Sequence, residues 1–169
     1  MWARRLAAGS RLSRISLMGR NVLSLKLLGG AIVERAGAPV TGRATRGHRL
    51  ALLALLAGGR AVSRDRALGL LWPDADTDRA RRFLSDTLYL LRGTLGEEAV
   101  TGAGDDLRLN PEHVTSDVAE LERLLDAGQL ESAVRLWGGP FLEGFHLAAS
   151  AEFEQWVDGV RERLAARHA

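Results

Sequence analysis

The chain has 169 residues, 46% of them hydrophobic and 26% charged, which suits one ordinary domain or two small ones and excludes a disordered chain. It has no cysteine, so a disulfide framework and thiolate metal ligation are ruled out, and no run approaches the roughly 18 apolar residues of a membrane span. The net charge of +2 conceals an asymmetry: residues 1–109 carry 18 Arg+Lys against 10 Asp+Glu, a balance of +8, and residues 110–169 carry 5 against 11, a balance of −6. That split predicts two modules, the first of which meets a polyanion.

Residues 1–20, "MWARRLAAGSRLSRISLMGR", hold five arginines and no acid. Arg-rich, acid-poor segments of this kind serve as transit peptides, and Met18 offers an alternative start; both readings stay open. Residues 1–21 are expected to be a poorly ordered basic extension. Val22 to Leu27 alternates in part and Ala31 to Glu34 is a second short strand, with turn signals at Gly29-Gly30 and Gly37-Ala38-Pro39; a small antiparallel sheet is predicted. "RGHRLALLALLAGG" is apolar on nearly every side and predicts a buried helix ended by Gly58-Gly59. Ser63 caps a short second helix, with Asp65 in its first turn, and Pro73 in "LWPDADTD" stops it.

The third helix is "RARRFLSDTLYLLRGTLG", Arg79 to Gly96. On a helical wheel Ala80, Leu84, Leu88, Leu91 and Leu95 fall within about 40° of one direction. Arg79, Arg82, Asp86, Tyr89 and Gly93 lie opposite, Arg81, Ser85 and Arg92 flank the apolar stripe on one side, and Phe83 and Leu90 on the other need a second neighbour. Three arginines in the first turn sit beside a positive helix dipole, which a docked phosphate would neutralise and which Asp74, Asp76 and Asp78 relieve in the free protein. Short strands around Ala99–Thr101 and Leu107–Leu109 then form a hairpin with "GAGDD" at its tip.

From Asn110-Pro111 the character changes. "SDVAELERLLDAG", capped by Ser116 or Asp117 and closed by Gly128, "LESAVRLWGG" and "AEFEQWVDGVRERLAARHA" predict three helices. The segment from Asp126 to Ala133 resembles the tight turn of paired-helix repeats, and one pair plus one helix is an array that stops short. The expected fold class is α+β. A winged helix-turn-helix unit spans residues 22–109, and an all-α, tetratricopeptide-like partial helical unit spans 110–169.

Strands, three helices and a hairpin make a winged helix, whose third helix fits a major groove about 12 Å wide. Arginine pairs bidentately with guanine or grips phosphate, and Ser85 and Tyr89 add contacts to bases or phosphates. The candidate DNA contacts are Arg46 and Arg49 at the start of the first helix and Ser63 and Arg64 at the start of the second. On the third they are Arg79, Arg81, Arg82, Ser85, Tyr89 and Arg92, with Gly104 at the hairpin tip.

The stretches "VSRDRALGLLWPD", "LYLLRGTLG" and "LWGGPFLEGF" resemble the Streptomyces antibiotic regulatory proteins, over roughly residues 22–168. Residues 49–100 look like that family's OmpR-like winged helix, and residues 116–145 its bacterial transcriptional activator domain. The resemblance implies a cytoplasmic DNA-binding transcription regulator, not an enzyme. It implies double-stranded DNA as partner, head-to-tail pairs on direct repeats, recruitment of RNA polymerase, and neither cofactor nor membrane. It also implies that Arg79, Arg82, Ser85 and Tyr89 are recognition-helix contacts and that the tip near Gly104 enters the minor groove.

Asp86 departs from this pattern on the groove-facing side, though it could accept from cytosine N4 or pair with Arg82 at i, i+4, and Asp105-Asp106 make the wing acidic. These acids support the alternative of a protein-interaction or sensory module with a degenerate winged helix; a further alternative, from the way similar proteins continue into a large C-terminal region, is the N-terminal piece of a larger signalling protein. Asp74, Asp76 and Asp78 open like a calcium loop, but Arg79 replaces the glycine at the sixth position and Ser85 the glutamate at the twelfth, so no metal site is expected. The four histidines lack ligand spacing, and His48 is expected to face solvent or a phosphate. Trp72, Trp137 and Trp156 are expected in the core. "GGPFLEGF" is expected to seat a loop against the helix pair; the other reading is a docking edge for RNA polymerase or a second protomer.

Overall fold

A computed structural model describes residues 22–168; the expected basic extension over 1–21 lies outside them. Strands β1 (Leu23–Lys26) and β2 (Ile32–Arg35) pair antiparallel with Leu25 opposite Val33, and a two-residue strand β3 (Ala38–Pro39) follows. Alternation along β1 sends Leu23 and Leu25 into the core. The sheet is not purely antiparallel. A strand β7 (Val114–Ser116), from beyond Asn110-Pro111, pairs parallel with β1 to give the order β3-β2-β1-β7. Three residues carry no legible alternation, and the partner lies at the far end of the winged-helix segment.

After one 3-10 turn (Arg43–Thr45), helix α1 (Gly47–Leu56) buries every residue from Leu50 to Leu56. Helix α2 (Arg64–Leu71) starts at Ser63, whose hydroxyl accepts from the Arg66 N–H. Helix α3 (Thr77–Leu95) starts at Asp76, whose carboxylate accepts from the Arg79 N–H at 2.9 Å. Its leucine stripe, with Ala80, is buried as the wheel predicts. Strands β5 (Val100–Ala103) and β6 (Asp106–Leu109) form the hairpin. A third strand, β4 (Val62–Ser63), joins β6, so the hairpin is anchored to the residues that start α2.

Helices α4 (Asp117–Asp126), capped by Ser116, and α5 (Leu130–Leu136) meet at a tight turn where Gly128 has φ 69°. Helix α6 (Ala151–His168) ties to α4 through Arg163–Glu122 and Arg167–Asp126. The "GGPFLEGF" loop crosses back to the β1–β2 turn and packs Phe141 and Phe145 on the aromatic rings of α6. Leu28 bridges Phe141, Gly29 N–H donates to the Pro140 carbonyl (2.9 Å), and Leu142 N–H donates to that of Leu27 (2.8 Å). Arg161 of α6 donates to the Phe141 and Leu142 carbonyls at 2.8 and 3.1 Å. The carboxylate of Asp117 accepts from the Leu27 and Leu28 N–H groups, and burial nonetheless pushes its pKa up. Buried hydrophobics form one cluster running from Leu23 to Leu164. Trp72, Trp137 and Trp156 are half-buried at its edge, not within it, because an indole is too large to be enclosed by so small a core.

Candidate nucleic-acid interface

The leucine stripe dictates the site. With Ala80, Leu84, Leu88, Leu91 and Leu95 packed inward, α3 turns Arg79, Arg82, Ser85, Asp86 and Tyr89 to solvent, with Tyr89 78% exposed. Arg64, Ser85, Tyr89 and Arg92 line one depression of about 300 Å³ between α3 and the start of α2, with Glu97 as its one carboxylate. Arg81 and Arg82 are exposed and unengaged among the described residues.

Several predicted contacts have duties inside the protein. Arg92 is half-buried and donates Nε and Nη2 to the Val100 carbonyl, both at 3.2 Å, fastening α3 to β5. Arg49 donates Nε to the Arg43 carbonyl, and Ser63 is occupied as the α2 cap. Arg46, the residue before α1, is exposed with extended backbone. Gly104 supplies the positive φ of 60° at the hairpin tip, where a Cβ would meet nothing within 4 Å. Arg64 is tied to the wing by its backbone, and its side chain lies close against it. Its N–H donates to the Asp105 carbonyl at 2.7 Å, and its Nη2 lies 3.3 Å from where a Cβ on Gly102 would stand. Gly102, expected in the hairpin tip, lies within β5 instead, where the missing side chain leaves room for the Arg64 guanidinium.

Arg79 lies over the Phe83 ring, 5.6 Å from its centroid, and Phe83 leans on Trp72 at 6.0 Å. Trp72 stacks on His48 at 5.1 Å and 8°. Phe83, 36% exposed, thus finds the second neighbour it required in Trp72. His48 is neither exposed nor aimed at phosphate. Its Nε2 bonds the Leu71 carbonyl at 3.0 Å, so that nitrogen carries the proton, and burial lowers its pKa with help from the Arg49 charge. The anticipated Arg82–Asp86 pair does not form; among the described residues neither side chain has an ion-pair partner. Residues 22–109 hold 13 Arg+Lys against 10 Asp+Glu, because five of the arginines counted in the basic half belong to residues 1–21. No group of acids and histidines among the described residues could hold a metal, and no described helix is long and apolar enough to cross a membrane.

No protein-family model matches the chain, and no curated protein does. Among solved structures, Mycobacterium tuberculosis EmbR in complex with a low-affinity phosphopeptide is similar, with a TM-score of 0.60 and 23% identity. The match covers 88% of this chain and 44% of the EmbR chain, so the chain spans less than half of that structure. The likeness establishes the fold: a winged helix with a helical segment behind it.

Proposed function

We propose that the chain is a sequence-specific DNA-binding regulator of transcription, a binding protein and not an enzyme. Helix α3 enters the major groove, and the β5–β6 hairpin turns toward the minor groove. One observation carries this: the outward face of α3 presents Arg79, Arg82, Ser85 and Tyr89 on a helix whose opposite face is locked into the core. A helix held on one side presents its polar side to a groove in a fixed register. Arg82 is assigned to a base edge, Arg79 and Arg46 to phosphates, and Arg64 and Tyr89 to the backbone beside the wing. Arg81, Ser85 and Gly104 complete the contact surface, while Arg49, Ser63 and Arg92 support it from within. Residues 22–109 act as the DNA-reading unit and residues 110–169 as a partial bacterial transcriptional activator unit. Pairing on direct repeats, contact with RNA polymerase and a cytoplasmic location belong to this proposal.

The test is selection by the full chain from a random duplex pool, followed by titration of the recovered sequence at two salt concentrations. Enrichment of one motif, bound more weakly at high salt because phosphate contacts release counterions, is the expected result. A folded chain that enriches nothing at low salt would refute it. A second reading, a protein-interaction module with a degenerate winged helix, is favoured by unpaired Asp86 and by the exposed acids Asp105 and Asp106 at the wing. It requires that no duplex be preferred.

A further inference from the structure

We propose that the cleft between α1, α4 and α6 is a binding site for a small organic acid, a carboxylate on an apolar body. The cleft holds about 280 Å³, enough for one such molecule and too little for a nucleotide cofactor. Its wall is apolar: Leu55 from α1, Val160 and Trp156 from α6, and Phe141 from the crossing loop. The indole of Trp156 is held by Phe141, edge-on at 5.7 Å and 81°, and by Phe153, tilted at 5.5 Å and 37°. A half-buried indole fixed in this way is a ready surface for a flat or extended apolar group.

The polar side selects the charge. Arg60, Arg163 and Arg167 line the cleft with a single carboxylate, Glu122. Arg167 is held by Asp126. Arg163 gives one nitrogen to Glu122 at 3.3 Å, and the Glu122 side chain is only 13% exposed. Arg60 has no ion pair or hydrogen bond among the described residues, so a positive charge is left over at the mouth of an apolar cleft. A cation would be repelled. A neutral apolar ligand would desolvate Arg60 and Arg163 with nothing in return. A carboxylate takes both guanidinium groups in charge-assisted hydrogen bonds while its body covers Trp156.

The experiment uses the full chain without DNA, so its failure leaves the DNA-binding proposal untouched. Indole-3-acetate and octanoate are titrated, each against its neutral amide, and followed by the NMR signals of the indole N–H groups. The expected result is saturable one-to-one binding of at least one acid, with the Trp156 signal shifting and the matching amide about ten-fold weaker. Arg60→Gln, an exposed change that should leave the melting temperature unaltered, should weaken the acid by a similar factor, and Val160→Trp should block it. The proposal is overturned if neither acid saturates, if the amide binds as tightly as the acid, or if Arg60→Gln leaves the affinity unchanged.

Discussion

The β1–β2 turn and the β5–β6 turn both pass through a glycine of positive φ, Gly29 at 85° and Gly104 at 60°, yet their surroundings are opposite. A Cβ on Gly29 would stand 2.5 Å from the Gly138 carbonyl oxygen, and one on Gly138 would stand 2.6 Å from that of Leu28. A Cβ on Gly104 meets nothing within 4 Å. The first turn is a seam where two backbones touch, closed by Phe141, Leu142 and Arg161. The second is an exposed tip, held through the Asp105 carbonyl by the Arg64 N–H, on a sheet that is anchored to α2. One end of the molecule is therefore closed by its own chain, and the other leaves α3 and the hairpin open to a partner.

The largest expected effect tests that contrast directly. Gly29→Ala should cost about 2–5 kcal/mol of stability, since it meets both backbone strain and a backbone clash, whereas Gly104→Ala should cost only about 1 kcal/mol. Urea denaturation of both variants measures it, and equal losses would show that the seam is not close-packed. Arg161→Ala should lower stability by about 1–3 kcal/mol by stripping the Phe141 and Leu142 carbonyls of a charged donor, with DNA affinity unchanged. Replacing Asp105 and Asp106 by Asn should leave the fold intact and tighten binding to every duplex by less than about 1 kcal/mol, since exposed charges interact weakly. Unaltered affinity would place the hairpin tip away from DNA. A subtler contribution comes from His48. Its folded pKa lies below the 6.5 of the free side chain, so the unfolded chain binds the proton first as pH falls. The stability it contributes is complete above about pH 6.5 and is lost as pH drops toward the folded value. Melting curves from pH 8 to 5 should show a smaller decline for His48→Gln than for the parent.

What was legible in the sequence is what depends on neighbours along the chain. The leucine stripe of α3, the caps at Ser63 and Ser116, and the Gly128 turn each follow from residues within one or two turns of each other. The seam, the β7–β1 pairing and the third wing strand β4 join segments far apart, where two- to four-residue strands carry too short a pattern to name a partner. The candidate site divides along the same line. The wheel separates the buried face of α3 from the exposed one, so the exposure of Arg82 and Tyr89 is legible. It cannot show that Arg92 reaches the Val100 carbonyl, that Arg79 rests on Phe83, or that His48 stacks beneath Trp72.

Base reading by α3 is tested most directly by a double-mutant cycle on the selected duplex, pairing Arg82→Ala with 7-deazaguanine at the guanine most strongly selected. The substitution removes only the N7 acceptor from the major-groove edge. If Arg82 reads that base, each change alone should cost about 1–3 kcal/mol and the two together little more than either. Fully additive losses at that guanine and at every other selected guanine would contradict a major-groove placement of Arg82.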